Sequence, residues 1–375
     1  MLRFHPLKVT QRTELCEDAV SLTFGLPQEL RESYRFEAGQ HIAVRIVIDG
    51  VEARRTYSLV SAPGEDELRI GVRVHPDGQV SRFLAQQLKV GEALDVLTPN
   101  GSFHTRPDAA RGRFHVAFAA GCGITPVLSI AANVLATEPH SRVLLIYGNR
   151  STARTMFLEE ALALKDRYLA RFSLHFLMSR EPQDIELFNG RLDAQKVREL
   201  AAGLFNPADV DECYLCGPGS MIEELGGALC DLGIERSRIH AEHFTTATAT
   251  ATTSPNPQSP VSDGSPGAVA AAAAVGASSA PEMAEITVLM DGRRRAFSMA
   301  LNSESILDAA DCAGIDLPFS CRAGVCSTCR AKLTRGQVQM AENHALEDWD
   351  VAAGFVLCCQ ARPTSAVIEI SYDEQ

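Results

Sequence analysis

Three cysteines, Cys321, Cys326 and Cys329, stand at C-x4-C-x2-C spacing, and an adjacent pair, Cys358 and Cys359, follows nearer the C-terminus. Three thiolates on one tight loop with a fourth from a distant strand are the ligand set of a [2Fe–2S] cluster. Ala323 and Gly324 let the loop backbone approach such a cluster and aim N–H groups at its sulfurs. Four thiolates can also hold a structural zinc ion, but those sites usually come as two matched C-x2-C pairs. Spacing alone leaves the fourth ligand open between Cys358 and Cys359.

Two other constellations could hold nucleotides. Arg55, Tyr57 and Ser58 close a strand, and Gly78, Gln79, Val80 and Ser81 open a helix. A flavin dinucleotide needs an aromatic against its ring, a donor near N5, and a cation or helix N-terminus for its pyrophosphate. The second constellation is a pair of turns at strand ends: Gly121, Gly123, Ile124, Thr125 and Pro126, then Cys216, Gly217, Pro218 and Met221. Glycines let a backbone close around a pyrophosphate, and parallel sheets place ligands at such strand ends. Asn149, Arg150 and Ser151, with Arg154 nearby, offer cations and hydroxyls to a ribose 2'-phosphate, which favours NADPH over NADH. NADPH delivers two electrons as hydride whereas the cluster takes one, so a flavin must stand between them. That chemistry needs orientation rather than an acid–base dyad, and no catalytic residue is expected beyond the cofactors themselves.

These residues require elements to hold them. Residues 41–48, 54–60 and 68–74 read as antiparallel strands separated by Asp-Gly or Pro-Gly signals, with one helix over 80–88. Residues 1–106 are thus expected to form an antiparallel barrel. Over 107–244, apolar strands at 114–119, 143–147, 174–177 and 212–216 alternate with helical stretches at 126–136 and 156–165, which predicts a parallel α/β sheet. Residues 285–375 read as a compact α+β domain of β-grasp type, with a helix over 305–312. Between them, residues 245–284 carry almost no large apolar side chain and are expected to be a flexible linker. A coil of roughly 40 residues has a root-mean-square reach of about 35 Å.

Composition narrows the partners. The chain has 375 residues, an apolar share of 46%, and 47 acidic against 35 basic side chains, for a formal charge of -12. That balance repels phosphate backbones and anionic headgroups, so neither nucleic acid nor membrane is an expected partner. The first twenty residues hold no unbroken apolar run, and a cytoplasmic location is expected. Asp308, Asp316, Glu347, Asp348 and Asp350 are candidates for an acidic face that meets a basic patch on an electron acceptor.

The stretch from Leu317 to Ser365 resembles plant-type ferredoxins, and in that family the ligand position corresponds to Cys359, with Cys358 standing where a threonine or serine is usual. The barrel motifs followed by an α/β domain resemble the ferredoxin-NADP reductase superfamily. The resemblance implies FAD, with Arg55 on its pyrophosphate, Tyr57 stacked on the ring, Ser58 at N5 and Phe244 on the other face. It further implies that the first glycine turn holds the NADP pyrophosphate and that Cys216 approaches the nicotinamide. Over nearly the full length, the runs at Phe4–Leu7, 27–41, 147–150 and 189–193 look like the reductase subunits of phenylacetyl-CoA ring epoxidase complexes. That family feeds a di-iron oxygenase. Reductases of Rieske-type or steroid ring hydroxylases share the same motifs, and a redox-sensing binding module is the alternative of another class.

Overall fold

The computed structural model describes residues 2–244 and 282–374. Most of the expected linker, residues 245–281, lies outside the described residues. Its last two positions belong to a strand instead: Met283 pairs with Ala300, and Ala284 is fully buried.

The first module contains β1 (Phe4–Cys16), β2 (Ala19–Gly25), β3 (His41–Ile48), β4 (Val51–Ser58), β5 (Glu67–Arg73), α1 (Gln79–Arg82) and β6 (Ala93–Leu97). Its strands run β4-β3-β6-β1-β2-β5, all antiparallel, and a bridge from Leu59 to Ile70 joins the two edges into a barrel. Asp49 and Gly50 both take positive φ, 52° and 80°, as a two-residue hairpin turn between right-twisted strands demands. Alternate residues such as Ile42, Val44 and Ile46 point into the core, where they meet Leu22, Phe24 and Leu68. The expected helix over 80–88 is one α-turn that continues as a π-turn, Phe83–Gln87.

The second module contains β7 (Phe114–Ala120), α2 (Ile124–Thr137), β8 (Arg142–Asn149), α3 (Leu158–Arg167), β9 (Phe172–Met178), α4 (Ala194–Leu204), β10 (Glu212–Gly217), α5 (Gly219–Asp231) and β11 (Ile239–His243). The sheet order is β11-β10-β7-β8-β9, and every pairing is parallel. Strand residues alternate between two cores: Ala117, Ala119, Leu145 and Tyr147 face α2 and α3, while Val116, Phe118, Leu144 and Ile146 face α4 and α5. The chain leaves β7 toward β8 and later returns to β10 on the other side. The turns after β7 and β10 therefore flank the topological switch point, where open α/β sheets bind ligands.

The third module contains β12 (Met283–Met290), β13 (Arg293–Ala300), α6 (Ile306–Cys312), β14 (Arg330–Arg335), β15 (Val338–Met340), α7 (Asp348–Ala352), β16 (Phe355–Leu357), β17 (Ala361–Pro363) and β18 (Val367–Ser371). Its main sheet runs β13-β12-β18-β14-β16, with β12 and β18 parallel and the other pairs antiparallel. Ser305 caps α6 by accepting from the Asp308 N–H at 3.1 Å, and Ile306, Leu307 and Ala310 bury the helix on the sheet. The cysteine loop fills the gap between α6 and β14.

Candidate functional site

The barrel and the parallel sheet meet where β4 and β10 end. Ser58 Oγ donates to Glu242 Oε2 at 2.9 Å, and Cys216 Sγ lies 3.9 Å from the same oxygen. The two residues expected near flavin N5 and nicotinamide are thus brought together by a carboxylate that sequence reasoning left without a role. Glu242 arrives through the parallel register of β10 and β11, which pairs it with Cys216. His41, opposite Ser58 on β3, completes the cluster with Nδ1 at 3.6 Å from Glu242 Oε1. Burial disfavours its imidazolium, but Glu242, with smaller help from Cys326 and Asn100, offsets that and raises its pKa. Burial likewise drives the Cys216 thiol well up, so it stands there as a neutral group.

The flavin-side residues line up along one edge. Tyr57 is half-buried beside Ser58, and Arg55 is exposed, its guanidinium bonded to the Arg54 carbonyl at 2.8 Å. Ser81 folds back on Gly78, donating to its carbonyl at 3.1 Å, while Gln79 is exposed and Val80 is buried in the barrel core. Phe244 packs, half-buried, against the core that holds Tyr147 and Cys216.

The two glycine turns touch each other. A Cβ on Gly123 would stand 2.1 Å from the Cys216 carbonyl oxygen, so only glycine lets the turns close to this distance. Gly121 takes φ +56° and leads into α2. Ile124, Thr125 and Pro126 are buried, and the Thr125 hydroxyl donates to the Cys122 carbonyl at 2.8 Å. Their side chains hold the turn in shape, which leaves backbone groups as what it offers a phosphate. Tyr147 is a further support that the sequence did not reveal: its hydroxyl donates to the Gly121 carbonyl at 2.9 Å. On the second turn, Pro218 is exposed and Met221 is buried beneath Gly217.

At the ends of β8 and β9, Arg150 and Arg180 are both exposed, and the Arg180 N–H donates to the Arg150 carbonyl at 2.9 Å. Among the described residues neither guanidinium has an acidic partner. Asn149 Nδ2 is buried with no hydrogen-bond partner among the described residues, and Ser151 is half-buried. Arg154 departs from expectation. It is tied to Asp18 on the barrel, which Arg73 also holds at 3.0 Å, so it bridges modules instead of awaiting a phosphate.

The cysteines stand as two pairs: the Cys321 N–H donates to Cys326 Sγ and the Cys359 N–H to Cys329 Sγ, each at 3.5 Å. Two thiolates for each of two metals is what a sulfide-bridged di-iron cluster requires. Cys326, with N–H groups of Ala323 and Val325, brings Cys321 down to about 7. Cys359 is lowered by Cys329, by Gln360 and by the Gly324 N–H. Burial instead pushes Cys358 up to about 12. Arg322 and Ser327 take positive φ, 54° and 49°, the cost of folding a loop back on its own sulfurs.

This loop rests on the barrel. Thr56 and Ser320 hydroxyls lie 2.7 Å apart, Asn100 Oδ1 is 3.4 Å from Thr328 Oγ1, and the Arg54 guanidinium sits 3.9 Å over the Phe319 ring. Thr328 Oγ1 is in turn 3.2 Å from Cys326 Sγ, so the cluster loop abuts the strand that carries Tyr57 and Ser58. The proposed acidic face is only partly present. Asp350 is fully buried against Arg330 at 2.7 Å and Glu347 turns toward the second module, whereas Asp316 and Asp348 are exposed and Asp308 pairs with Arg322. Among the described residues no helix is long and apolar enough to cross a membrane.

Three family models match in order: the oxidoreductase FAD-binding domain over residues 6–105, the oxidoreductase NAD-binding domain over 118–225, and the 2Fe-2S iron-sulfur cluster binding domain over 288–364. A component of the 1,2-phenylacetyl-CoA epoxidase of Escherichia coli (strain K12) is 39% identical over 373 residues, covering 100% of this chain and 99% of that one. The ferredoxin reductase component of 3-ketosteroid-9-alpha-monooxygenase from Rhodococcus rhodochrous is 32% identical, covering 98% of this chain and 96% of that one. Among solved structures, phthalate dioxygenase reductase is 22% identical with a TM-score of 0.55, each chain covered to 98%. An intact type IV self-sufficient cytochrome P450 monooxygenase has a TM-score of 0.67 at 21% identity, covering 98% of this chain and 41% of that one.

Proposed function

Because the chain belongs to the ferredoxin-NADP reductase family, as a reductase with FAD-binding, NAD-binding and [2Fe–2S] domains, we propose that it oxidises NADPH and supplies single electrons to a di-iron phenylacetyl-CoA epoxidase. The flavin supplies the step from a two-electron donor to a one-electron acceptor, and the cluster supplies the exit. What the protein contributes is placement. Ser58 and Cys216 converge on Glu242 from two modules, and this observation carries the reading. Ser58 offers a hydroxyl to the flavin edge, Glu242 fixes that hydroxyl, and Tyr57 lies beside it for the ring face. Arg55, with the Gly78 to Ser81 turn, suits the flavin pyrophosphate.

Gly121 and Gly123 suit the coenzyme pyrophosphate, and Cys216, neutral and buried, closes the floor beneath the nicotinamide. NADPH is favoured over NADH by Arg150 and Arg180, two exposed guanidiniums at the strand ends where the adenosine ribose of such sheets lies. Cys321, Cys326, Cys329 and Cys359 are the cluster ligands in this reading, and the paired thiols support it.

The test is reconstitution. Anaerobic NADPH should bleach both flavin and cluster absorption faster than NADH, and the reduced protein should drive epoxide formation by the purified di-iron oxygenase. Turnover with a Rieske-type or steroid hydroxylase oxygenase in its place would favour the alternative that the Rhodococcus relative suggests. A cluster that reddens and bleaches with no onward transfer to any oxygenase would point to a redox sensor.

A further inference from the structure

His240, on β11, touches carboxylates from two modules. Its Nε2 lies 2.8 Å from Glu212 Oε2 on the neighbouring strand β10, and its Nδ1 lies 3.3 Å from Glu347 Oε1 in the ferredoxin module. Both nitrogens can donate at once only in the imidazolium form. Burial disfavours that charge, but the two carboxylates outweigh it and lift the pKa to about 9. The ring is therefore cationic at neutral pH, and the contact between modules is an ion pair on a half-buried site.

Glu347 is itself firmly set. Its carboxylate caps α7 in a capping box with Asp350, and its second oxygen accepts from Trp349 Nε1 at 2.8 Å. Asp350 is bonded to Arg330, the residue after Cys329, at 2.7 Å. A pull on Glu347 is thus transmitted through side chains to the cysteine loop. On the other side, His240 precedes Glu242 by two residues on the strand that delivers Glu242 to Ser58. Two more contacts flank the same seam: Ser102 Oγ donates to the Ala345 carbonyl at 3.0 Å, and the rings of His243 and His344 are 5.0 Å apart.

We propose that His240, held as a cation between Glu212 and Glu347, is the latch that seats the ferredoxin module on the parallel-sheet module, on the strand that delivers Glu242 to Ser58. It is a positioning residue: it governs how fast electrons reach the cluster and leaves hydride transfer alone. The proposal rests on the electron path given above. Each hydride carries two electrons and one proton; the electrons pass singly, each converting one ferric iron of the cluster to ferrous and moving on to the oxygenase before the next arrives, and the proton leaves to solvent. Tyr214 stacks on the ring at 5.3 Å, and Arg113 lies behind Glu212 at 3.4 Å. His104, His115 and Arg236 are further charged or titratable groups around these residues. A cation that persists up to about pH 9 holds the latch below that pH and releases it above.

The experiment follows both chromophores of the full-length holoprotein in anaerobic stopped flow after mixing with NADPH. In His240→Gln and Glu347→Gln the flavin phase should stay within about twofold of native, while the cluster phase slows about tenfold, the usual scale for losing an ion pair worth ~1.4 kcal/mol. The native cluster phase should weaken between pH 8 and 10, on either side of about 9, and that of Glu347→Gln should stay flat. His240→Arg keeps a permanent cation and should keep a fast, pH-independent cluster phase. Trp349, the chain's single tryptophan, provides a reading independent of turnover: its emission should titrate near pH 9 in the native protein and not in His240→Gln. An unchanged cluster phase in His240→Gln, or equal slowing in Gln and Arg variants, would overturn the latch. If the native protein failed to reduce its cluster with NADPH, the electron path would fall. The Trp349 titration would then still decide whether His240 grips Glu347.

Discussion

Cys359, rather than the adjacent Cys358, is proposed as the fourth ligand because of what surrounds each sulfur. Cys359 shares a hydrogen bond with Cys329 and receives the Gly324 N–H, both of which favour a thiolate. Cys358 is fully buried in the hydrophobic core, where burial pushes its thiol up to about 12. Replacing Cys358 with serine should leave the visible spectrum and two irons per chain intact, at a cost of about 1 kcal/mol for a hydroxyl in an apolar site. Replacing Cys359 with serine should bleach the protein and lower its iron content. Iron analysis alongside absorbance separates the two, and a stable cluster in Cys359→Ser with loss in Cys358→Ser would reverse the choice. The proposed cluster residues carry a strong local signal, because three of the four cysteines lie within nine residues of chain. Glu242 and His240 carried no such local signal, because the pairing of β10 with β11 determines what they touch.

The elements were legible to the extent that their pattern was local. β3 occupies the expected span, and four of the five parallel strands, β7 to β10, fall within two residues of their expected bounds at each end, whereas β11 was not among the expected strands. β4 starts three residues early, at Val51, because the Asp49-Gly50 turn admits pairing immediately although Val51 and Glu52 are exposed. Leu59 and Val60, expected inside that strand, instead bend to close the barrel. The end of α2 could not be read this way. Glu138 is a fully buried acid at a helix C-terminus, where the dipole disfavours it. Burial raises its carboxyl, but bonds from Arg113, Ser141 and the Asp108 N–H outweigh both and hold it at about 2. A folded pKa below the ordinary 4.5 stabilises the protein above that pH, and this contribution fades as pH falls toward 2. Glu138→Gln should cost about 3 kcal/mol at pH 7 by leaving Arg113 without its buried partner. The difference from native should shrink in urea titrations run at successively lower pH, and a gap independent of pH down to 3 would show that the carboxylate charge is not what holds α2.

At the scale of the whole molecule, the way the cores are shared predicts how the chain comes apart. The core on the α2 and α3 face of the parallel sheet includes Ala19, Ala38, Val60 and Phe103 from the barrel, so those two modules share apolar surface. The ferredoxin module draws its core only from its own residues, Ala284 to Ile370. Its contacts with the rest are mainly hydroxyl pairs, carbonyl bonds, ion pairs and one cation over a ring. Contacts of that kind are worth about 1 kcal/mol each and are screened by salt, whereas a shared apolar core makes unfolding cooperative. Urea should therefore remove flavin fluorescence changes and cluster absorbance in two separate transitions, with the smaller m value belonging to the cluster, whose module exposes less surface. Raising salt should leave the order of the transitions unchanged while loosening the seam at Arg54 and His240. If both chromophores were lost together at every salt concentration, the ferredoxin module would be stabilised across that seam far more than these polar contacts can explain. Electron delivery to a partner would then have to occur without the module leaving its seat.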